Sequence, residues 1–298
     1  MGAIANVNGT ISDGREAVIP IFDHGFLFGE GVYETLRTYN GRPFLLDRHL
    51  RRLRTSAGMI SLTVPLSNDE LNTRIADTVR AAAAQQQSAE WYIRILLTRG
   101  VGDLSYDPAA CPTPSVVMIV KPFEGPPPEA YEQGVAVVLV SVMRNHPGSV
   151  NPLIKSNNLL NNALAMQEAV RRSAFEGVMR NYRGELSECT TANLFVVKDS
   201  LVLTPPLDAG LLAGITREFL FELGPSQGVP VRDAVLRDQD LLGADEAFLT
   251  STTRELVPIV RVDDRVIGDG KPGPITRKLL QAFRDQAQAL TTPAGSRR

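Results

Sequence analysis

The chain has 298 residues, 43% hydrophobic and 21% charged, an ordinary globular balance with room for one large or two modest domains. Its net charge of −2 gives no broad attraction to nucleic acid or an anionic membrane, so any anion site has to be local. Two cysteines, Cys111 and Cys189, and three histidines, His24, His49 and His146, exclude a disulfide framework and a Cys/His metal cluster.

In chain order, Ile4–Val7 and residues 10–11 read as strands joined by Asn8-Gly9, a pair suited to a tight hairpin turn. Residues 18–22 predict a further strand. Asp23-His24-Gly25-Phe26-Leu27-Phe28-Gly29-Glu30-Gly31 follows, its glycines matching neither a dinucleotide fingerprint nor a phosphate loop. Residues 32–39 predict a strand that turns at Asn40-Gly41 into 43–45. Asp47 is placed as the N-cap of a helix over 48–59, with Leu50 and Leu53 as its apolar pair and Arg48, Arg51, Arg52 and Arg54 at polar positions. A second helix over 69–87 has Leu71, Ile75 and Val79 at four-residue steps. Strands at Trp91–Thr98 and 115–120 flank an irregular loop, 99–114.

Pro126, Pro127 and Pro128 fit neither a helix interior nor a central strand. Residues 121–130 are therefore predicted to link a small domain, 1–120, to a larger one, 131–290. The larger domain opens with an apolar strand over 135–142. Lys155 comes next, after Pro152-Leu153-Ile154 and before a helix over 158–172. A strand over 174–180 turns through 181–184 into a small, polar run that becomes the strand 194–197, paired through Lys198-Asp199-Ser200 with Leu201–Thr204. Gly214-Ile215-Thr216-Arg217 opens a helix, and a strand over 246–250 enters Ser251-Thr252-Thr253-Arg254. Residues 257–262 and 265–267 predict a hairpin around Asp263-Asp264. A helix over 275–289 ends the domain, and 291–298 is expected to be a disordered tail. This order of elements predicts an α+β fold with mixed sheets. The opening MGAIANVNGT lacks a basic stretch followed by an apolar run. No segment approaches the roughly 20 apolar residues of a membrane span, and a cytoplasmic protein is expected.

Three groups carry chemistry. Lys155 is compatible with a buried stem and a solvated head, the usual state of a lysine. In a desolvated cleft the same amine would act as nucleophile or base. Gly214-Ile215-Thr216 and Ser251-Thr252-Thr253 offer backbone N–H and hydroxyl groups, either to a phosphate or as ordinary caps, and an arginine fork would complete an anion site. Glu188 is either a surface carboxylate or the partner of a cofactor ring nitrogen, which it would keep protonated. A lysine, an acid and a phosphate cradle together are what pyridoxal phosphate chemistry needs.

From Asn8 to Phe283 the chain resembles the class IV aminotransferases, the fold-type IV pyridoxal-phosphate enzymes. The resemblance rests on Asp23-His24-Gly25 with Phe28-Gly29-Glu30-Gly31-Val32-Tyr33-Glu34, on His49-Leu50-Arg51-Arg52-Leu53, and on Tyr92-Ile93-Arg94. It continues through Thr98-Arg99-Gly100-Val101-Gly102-Asp103-Leu104, Ile154-Lys155-Ser156, Ser187-Glu188 with Asn193-Leu194-Phe195, Gly214-Ile215-Thr216-Arg217, Thr250-Ser251-Thr252 and Gly270-Lys271-Pro272-Gly273-Pro274. It implies a small α/β N-terminal domain and a larger C-terminal domain with a barrel-like sheet, in an assembly at least dimeric. It implies Lys155 as the Schiff-base lysine that also moves the substrate proton, and Glu188 as the pyridine-nitrogen partner. Arg52, Ile215, Thr216 and Thr252 are implied as phosphate contacts, and Leu212 as packing on the ring.

Within the family the wording is most similar to branched-chain amino acid aminotransferases, which implies ping-pong transfer from leucine, isoleucine or valine to 2-oxoglutarate. Tyr92, Arg94 and the 98–104 loop match that subgroup, and Tyr33 lies in the aromatic position of its side-chain pocket. Leu104-Ser105-Tyr106 stands where D-amino acid aminotransferases carry an Arg-x-His pair for the substrate carboxylate. Thr35, Phe28, Leu159, Thr253 and Arg254 depart from the branched-chain pattern, and Arg37 or Arg254 is a candidate extra carboxylate ligand. Tyr33, Arg37, Arg94, Leu159 and Thr253 are therefore the expected substrate contacts. A D-amino acid or (R)-amine transaminase and an aminodeoxychorismate lyase are the rival expectations.

Overall fold

In the computed structural model, which describes residues 2–292, Asn8 (φ 52°) and Gly9 (φ 98°) turn β1 (Ile4–Val7) into β2 (Thr10–Asp13). Both sit in the left-handed region that asparagine and glycine enter at least cost. The strand expected at 18–22 is a loop. Pro20 lacks a donor there, Val18, Ile19, Ile21 and Phe22 are exposed, and the contact of Phe22 O with Gly102 N–H at 3.2 Å is not continued into a ladder. α1 (His24–Leu27) is one turn, capped by the Asp23 carboxylate accepting from Gly25 N–H at 2.8 Å. β3 (Gly31–Tyr39) turns through Asn40 and Gly41 into β4 (Arg42–Pro43).

α2 (Leu46–Met59) begins one residue before the expected cap. Leu45 occupies the cap position in a left-handed conformation, φ 50°. Asp47 lies inside the first turn, where its charge suits the helix N-terminus and Arg51 is 3.7 Å away. α3 (Asn68–Gln85) starts at a capping box: Glu70 N–H donates to Ser67 Oγ, and Ser67 N–H donates back to Glu70 Oε2. β5 (Trp91–Thr98) and β6 (Ser115–Pro122) complete a six-stranded antiparallel sheet in the order β2-β1-β6-β5-β3-β4. Even positions of β3, Val32 and Leu36, join Leu50 and Leu53 of α2, Leu71 and Ile75 of α3, and Ile93 and Ile95 of β5 in one core. Odd positions, Tyr33, Thr35 and Arg37, are half-buried on the opposite face, as the two-residue period of a strand requires.

α4 (Pro128–Glu132) takes its proline at the first helical position, where no N–H is needed. Then follow β7 (Val135–Leu139), α5 (Leu160–Arg171), β8 (Glu176–Arg180), β9 (Leu186–Cys189), β10 (Asn193–Lys198) and β11 (Leu201–Thr204). α6 (Ile215–Ser226), β12 (Val231–Asp233), α7 (Asp238–Leu242), β13 (Glu246–Ser251), β14 (Glu255–Val262), β15 (Arg265–Val266) and α8 (Pro274–Thr291) complete the described chain. Compared with the sequence expectation, β7 is shorter, α5 starts later, and β9 is an added strand hidden in the small, polar run. Thr291 ends α8, and residues 293–298 of the expected tail lie outside the described residues.

The second sheet is mixed, in the order β12-β11-β10-β13-β14-β7-β8-β9 with β15 on β14. Pairs β11/β12, β14/β7 and β7/β8 are parallel. This sheet has to curl. β9 ends at Cys189 and β10 begins at Asn193, a span of four residues that reaches at most about 14 Å. Laid flat, the two strands would be five neighbour steps apart along the sheet order, about 24 Å. Cys189 N–H donates to Ala192 O at 2.8 Å across this connection. The curled sheet matches the barrel-like one expected from the resemblance. Its core is formed by Val137, Val178, Leu186, Leu194, Val196, Leu249, Val257 and Ile259, among others.

The chain divides into two compact units that are not sequential. One comprises the chain up to Glu124, the short segment Ile154–Asn158 and the chain from Gln288; the other comprises Gly125–Leu153 and Leu159–Ala287. Lys155 therefore belongs to the first unit, although the chain on both sides of it belongs to the second.

Candidate active site

In the first unit, Lys155 is placed by main-chain pairing. Its carbonyl accepts from Tyr33 N–H at 2.9 Å, its N–H donates to Ser56 Oγ of α2 at 3.1 Å, and Asn157 N–H donates to Gly31 O at 2.9 Å. Val32 and Ser156 form an antiparallel bridge. Residues 154–158 thus extend the sheet along the start of β3. The half-buried Lys155 has its Nζ 4.4 Å from the Tyr33 ring centroid. Arg94, which stands opposite Thr35 in the β3/β5 register, holds its guanidinium 4.1 Å from the same centroid. One phenol ring is therefore shared by two cations.

On the core side of β3 lies a group the sequence reading quoted but gave no role. Glu34 is fully buried. It accepts from Arg52 Nε at 2.7 Å, from Arg52 Nη2 at 2.8 Å and from His49 Nδ1 at 2.7 Å. Burial pushes the Glu34 carboxyl up, but Arg52 and then His49 outweigh it, and the group is held well below the usual carboxylate range. Burial pulls His49 down hardest; Glu34 draws it back up, while Arg52 and Lys155 add to the lowering. The neutral ring donates a hydrogen bond from Nδ1–H to the ionised carboxylate, which leaves Nε2 buried with no hydrogen-bond partner among the described residues. The expected phosphate ligand Arg52 thus has one edge of its fork on Glu34. Arg37 is not brought to this place. It sits four residues beyond Tyr33, roughly 13 Å along β3, with its guanidinium 4.0 Å from the Tyr39 centroid and 3.8 Å from that of Phe123.

In the second unit, Glu188 lies on β9, where every residue is buried. Its Oε1 accepts from Arg144 Nε at 2.8 Å. Its Oε2 accepts from Leu212 N–H at 3.1 Å and Asn193 Nδ2 at 3.3 Å. Asn193 ties the other expected contacts to this acid. Its Nδ2 also donates to Leu212 O at 3.0 Å, and it stands opposite Thr250 in the β10/β13 register. A Cβ on Gly214 would collide with its side-chain oxygen, so the start of α6 approaches it as only glycine allows. Glu188, Leu212, the Gly214-Ile215-Thr216 turn and the end of β13 that leads into Thr252 and Thr253 are therefore gathered about one asparagine.

Ile215 and Thr216 are buried at the N-terminus of α6, yet no side chain caps that helix. An uncapped, buried N-terminus suits an anion. Thr252 and Thr253 are half-exposed in the turn between β13 and β14, and Leu159 is the half-buried residue that precedes α5. Arg254, a candidate extra carboxylate ligand, is bound to the buried Glu176 at 2.5 Å and lies over the Phe175 ring. Beside Glu188, burial pushes the Cys189 thiol well up, and it stays protonated. Among the described residues no His/Cys/Asp/Glu group could hold a metal ion. A cavity of about 600 Å³ in the first unit, walled by Pro65, Leu66, Pro112 and Pro114, contains none of these groups.

The profile of the family Amino-transferase class IV matches residues 31–262. The chain belongs to the class IV aminotransferases. This aminotransferase is 37% identical over 279 residues to a putative branched-chain-amino-acid aminotransferase of Methanocaldococcus jannaschii, covering 94% of each chain. It is 34% identical over 284 residues to the D-alanine aminotransferase of Bacillus licheniformis, covering 95% of this chain and 97% of that one. Its fold superposes with a TM-score of 0.91 on the T.th. branched-chain amino acid aminotransferase with pyridoxamine 5′-phosphate, at 26% identity, covering 98% of this chain and 96% of that one. The cofactor of this aminotransferase is pyridoxal 5′-phosphate, and its substrates are small amino and keto acids.

The groups present fit that cofactor. A half-buried amine is available at Lys155, a carboxyl group that accepts from an arginine at 2.8 Å suits a protonated ring nitrogen, and an uncapped helix start suits a phosphate. Sequence reading gave no role to Glu34, His49, Arg144 or Asn193. Glu34 had a signal, a charged residue in phase with the core positions Val32 and Leu36. Arg144 had none, since a single arginine in a polar loop looks like any other.

Proposed function

We propose that this aminotransferase moves the amino group of a branched-chain L-amino acid to 2-oxoglutarate in two half-reactions that alternate on one site. The observation that carries this reading is the Tyr33 ring with Lys155 on it at 4.4 Å and Arg94 at 4.1 Å. An aromatic wall beside the reacting amine suits an aliphatic side chain. An arginine on the same wall suits the second carboxylate of a dicarboxylic acceptor. A site that takes both in turn gives ping-pong kinetics.

In this reading Lys155 anchors the cofactor, and its Nζ takes the α-proton of the amino acid. Glu188 keeps the ring nitrogen protonated, Leu212 covers the ring, and Arg52, Ile215, Thr216 and Thr252 hold the phosphate. Bound pyridoxal phosphate supplies the electron sink for the carbanion. Thr253 and Leu159 shape the space around the substrate. We also assign a cytoplasmic homodimer. The apolar residues Val18, Ile21, Phe22 and Phe26 are exposed together near the N-terminus, a surface that a second copy would cover. Among the described residues no helix is long and apolar enough to cross a membrane.

Transfer from a D-amino acid is the second reading, favoured by the Bacillus licheniformis relative and by Thr35 and Leu159. Half-reaction spectra with L-leucine, D-alanine and (R)-phenylethylamine separate the two. Loss of the visible cofactor band with L-leucine supports the branched-chain reading. Loss with only D-alanine or the amine sinks it, and pyruvate release without a keto-acid acceptor would point to a lyase.

A further inference from the structure

Arg144 has no part in the function assigned so far, yet its buried side chain is held at two of its nitrogens. Its side chain is 9% exposed, and its Nε donates to Glu188 Oε1 at 2.8 Å. Its Nη1 donates to Asn161 Oδ1 at 3.1 Å, and its backbone N–H donates to Arg180 O at 2.8 Å. Asn161, in the first turn of α5, is itself fixed. Its Nδ2 donates to Met143 O at 2.8 Å, and its Oδ1 also accepts from Asn145 N–H at 3.3 Å. The arginine is thus oriented by a carboxamide that grips the main chain on both sides of it. A surface ion pair has no such support.

The chemistry gives this arrangement a purpose. Burial alone would favour the protonated form of Glu188. A protonated Glu188 would leave the proton off the cofactor's ring nitrogen. A cation touching Glu188 stabilises its ionised form directly. The same cation opposes a protonated ring nitrogen only from beyond the carboxylate, and Coulomb energy falls with distance. The balance moves the shared proton from the acid to the ring. We propose that Arg144, aimed by Asn161, is a positioning residue that acts through Glu188 to keep the ring nitrogen of pyridoxal phosphate protonated. The proposal rests on the reading of Glu188 as the ring-nitrogen partner, and its test separates the two.

The test reconstitutes the apo-protein with pyridoxal phosphate and, in parallel, with its analogue bearing C–H in place of the ring nitrogen. Cofactor dissociation constants from equilibrium dialysis and L-leucine half-reaction rates are measured for the wild type, Arg144→Gln, Arg144→Lys, Asn161→Ala and Glu188→Gln. With the native cofactor, Arg144→Gln should lower the half-reaction rate by about tenfold or more, the equivalent of one unit of pKa. Arg144→Lys, which keeps the charge, should recover part of that loss. With the analogue these differences should vanish, because no ring proton remains to be held. Adding Arg144→Gln to Glu188→Gln should cost nothing further. Equal losses by Arg144→Gln with both cofactors, while Glu188→Gln distinguishes them, overturn the proposal and leave the Glu188 reading standing. Equal losses by Glu188→Gln with both cofactors overturn both. Asn161→Ala carries the same comparison should Arg144→Gln fail to fold, and equal losses there overturn the proposal as well.

Discussion

Glu34, His49 and Arg52 form a buried charge network whose pH behaviour follows from burial. His49 is held below its ordinary value of 6.5. Below that pH the unfolded chain binds a proton that the folded chain refuses, so stability falls as pH drops from 6.5, by at most about 1.4 kcal/mol per pH unit from this one group. Glu34 has the depressed value of a paired carboxylate. Its contribution is complete above its ordinary value of 4.5 and is lost only as pH falls further toward the folded value. His49→Asn keeps a donor for Glu34 and removes the imidazole titration. Urea midpoints between pH 7 and 5 should then decline less steeply than in the wild type; an unchanged slope would show that His49 is not the source. At Lys155, replacement by alanine should lower transamination by roughly 10²–10⁴-fold or more. Borohydride should no longer fix the cofactor to the protein, and trapping at a different lysine would refute the assignment.

At the scale of elements, two starts of helices show how differently the same problem is met. α3 satisfies its own N-terminus with Ser67 and Glu70. Ser67→Ala should cost about 1 kcal/mol in chemical denaturation, with no effect on cofactor affinity. α6 has no side-chain cap, and Gly214 lies against Asn193. Gly214→Ala should push Asn193 away from Glu188 and Leu212 and weaken cofactor binding by about tenfold, or roughly 1.4 kcal/mol; equilibrium dialysis that returned the wild-type affinity would separate the helix start from the cofactor site. The extended segment 154–158 belongs to the same argument. Its hydrogen bonds to β3 fix Lys155 more firmly than a loop would, because backbone groups have no rotamers to lose.

At the scale of the whole molecule, cofactor binding is coupled to folding. A ligand that binds only the folded chain stabilises it by mass action. Pyridoxal phosphate at about 100 times its dissociation constant should add about 2.7 kcal/mol. The melting temperature should rise by several degrees, and by less in Lys155→Ala. An unchanged melting temperature at saturation would mean that the cofactor does not bind the native fold.

The sequence by itself determined most of the local elements and the family, and it suggested the cofactor roles that are proposed above. Asn8-Gly9 and Asn40-Gly41 made their turns because those residues tolerate left-handed backbone. Trp91–Thr98 was legible to the residue because alternation has only one period in a strand. Lys155 and Glu188 were singled out because a fixed order of short motifs surrounds them, and that order is what the family match spans. Where local propensity competed with long-range pairing, the sequence misled: residues 18–22 have strand composition but form no strand, and β9 has a partner but little strand composition. Only the tertiary structure decided what each charged side chain is for. It tied Arg254 to Glu176, stacked Arg37 between two rings, and set Arg144 on Glu188 across 44 residues of chain. An ion pair depends on distance in space, and distance along the chain carries no record of it until the sheets have curled and closed.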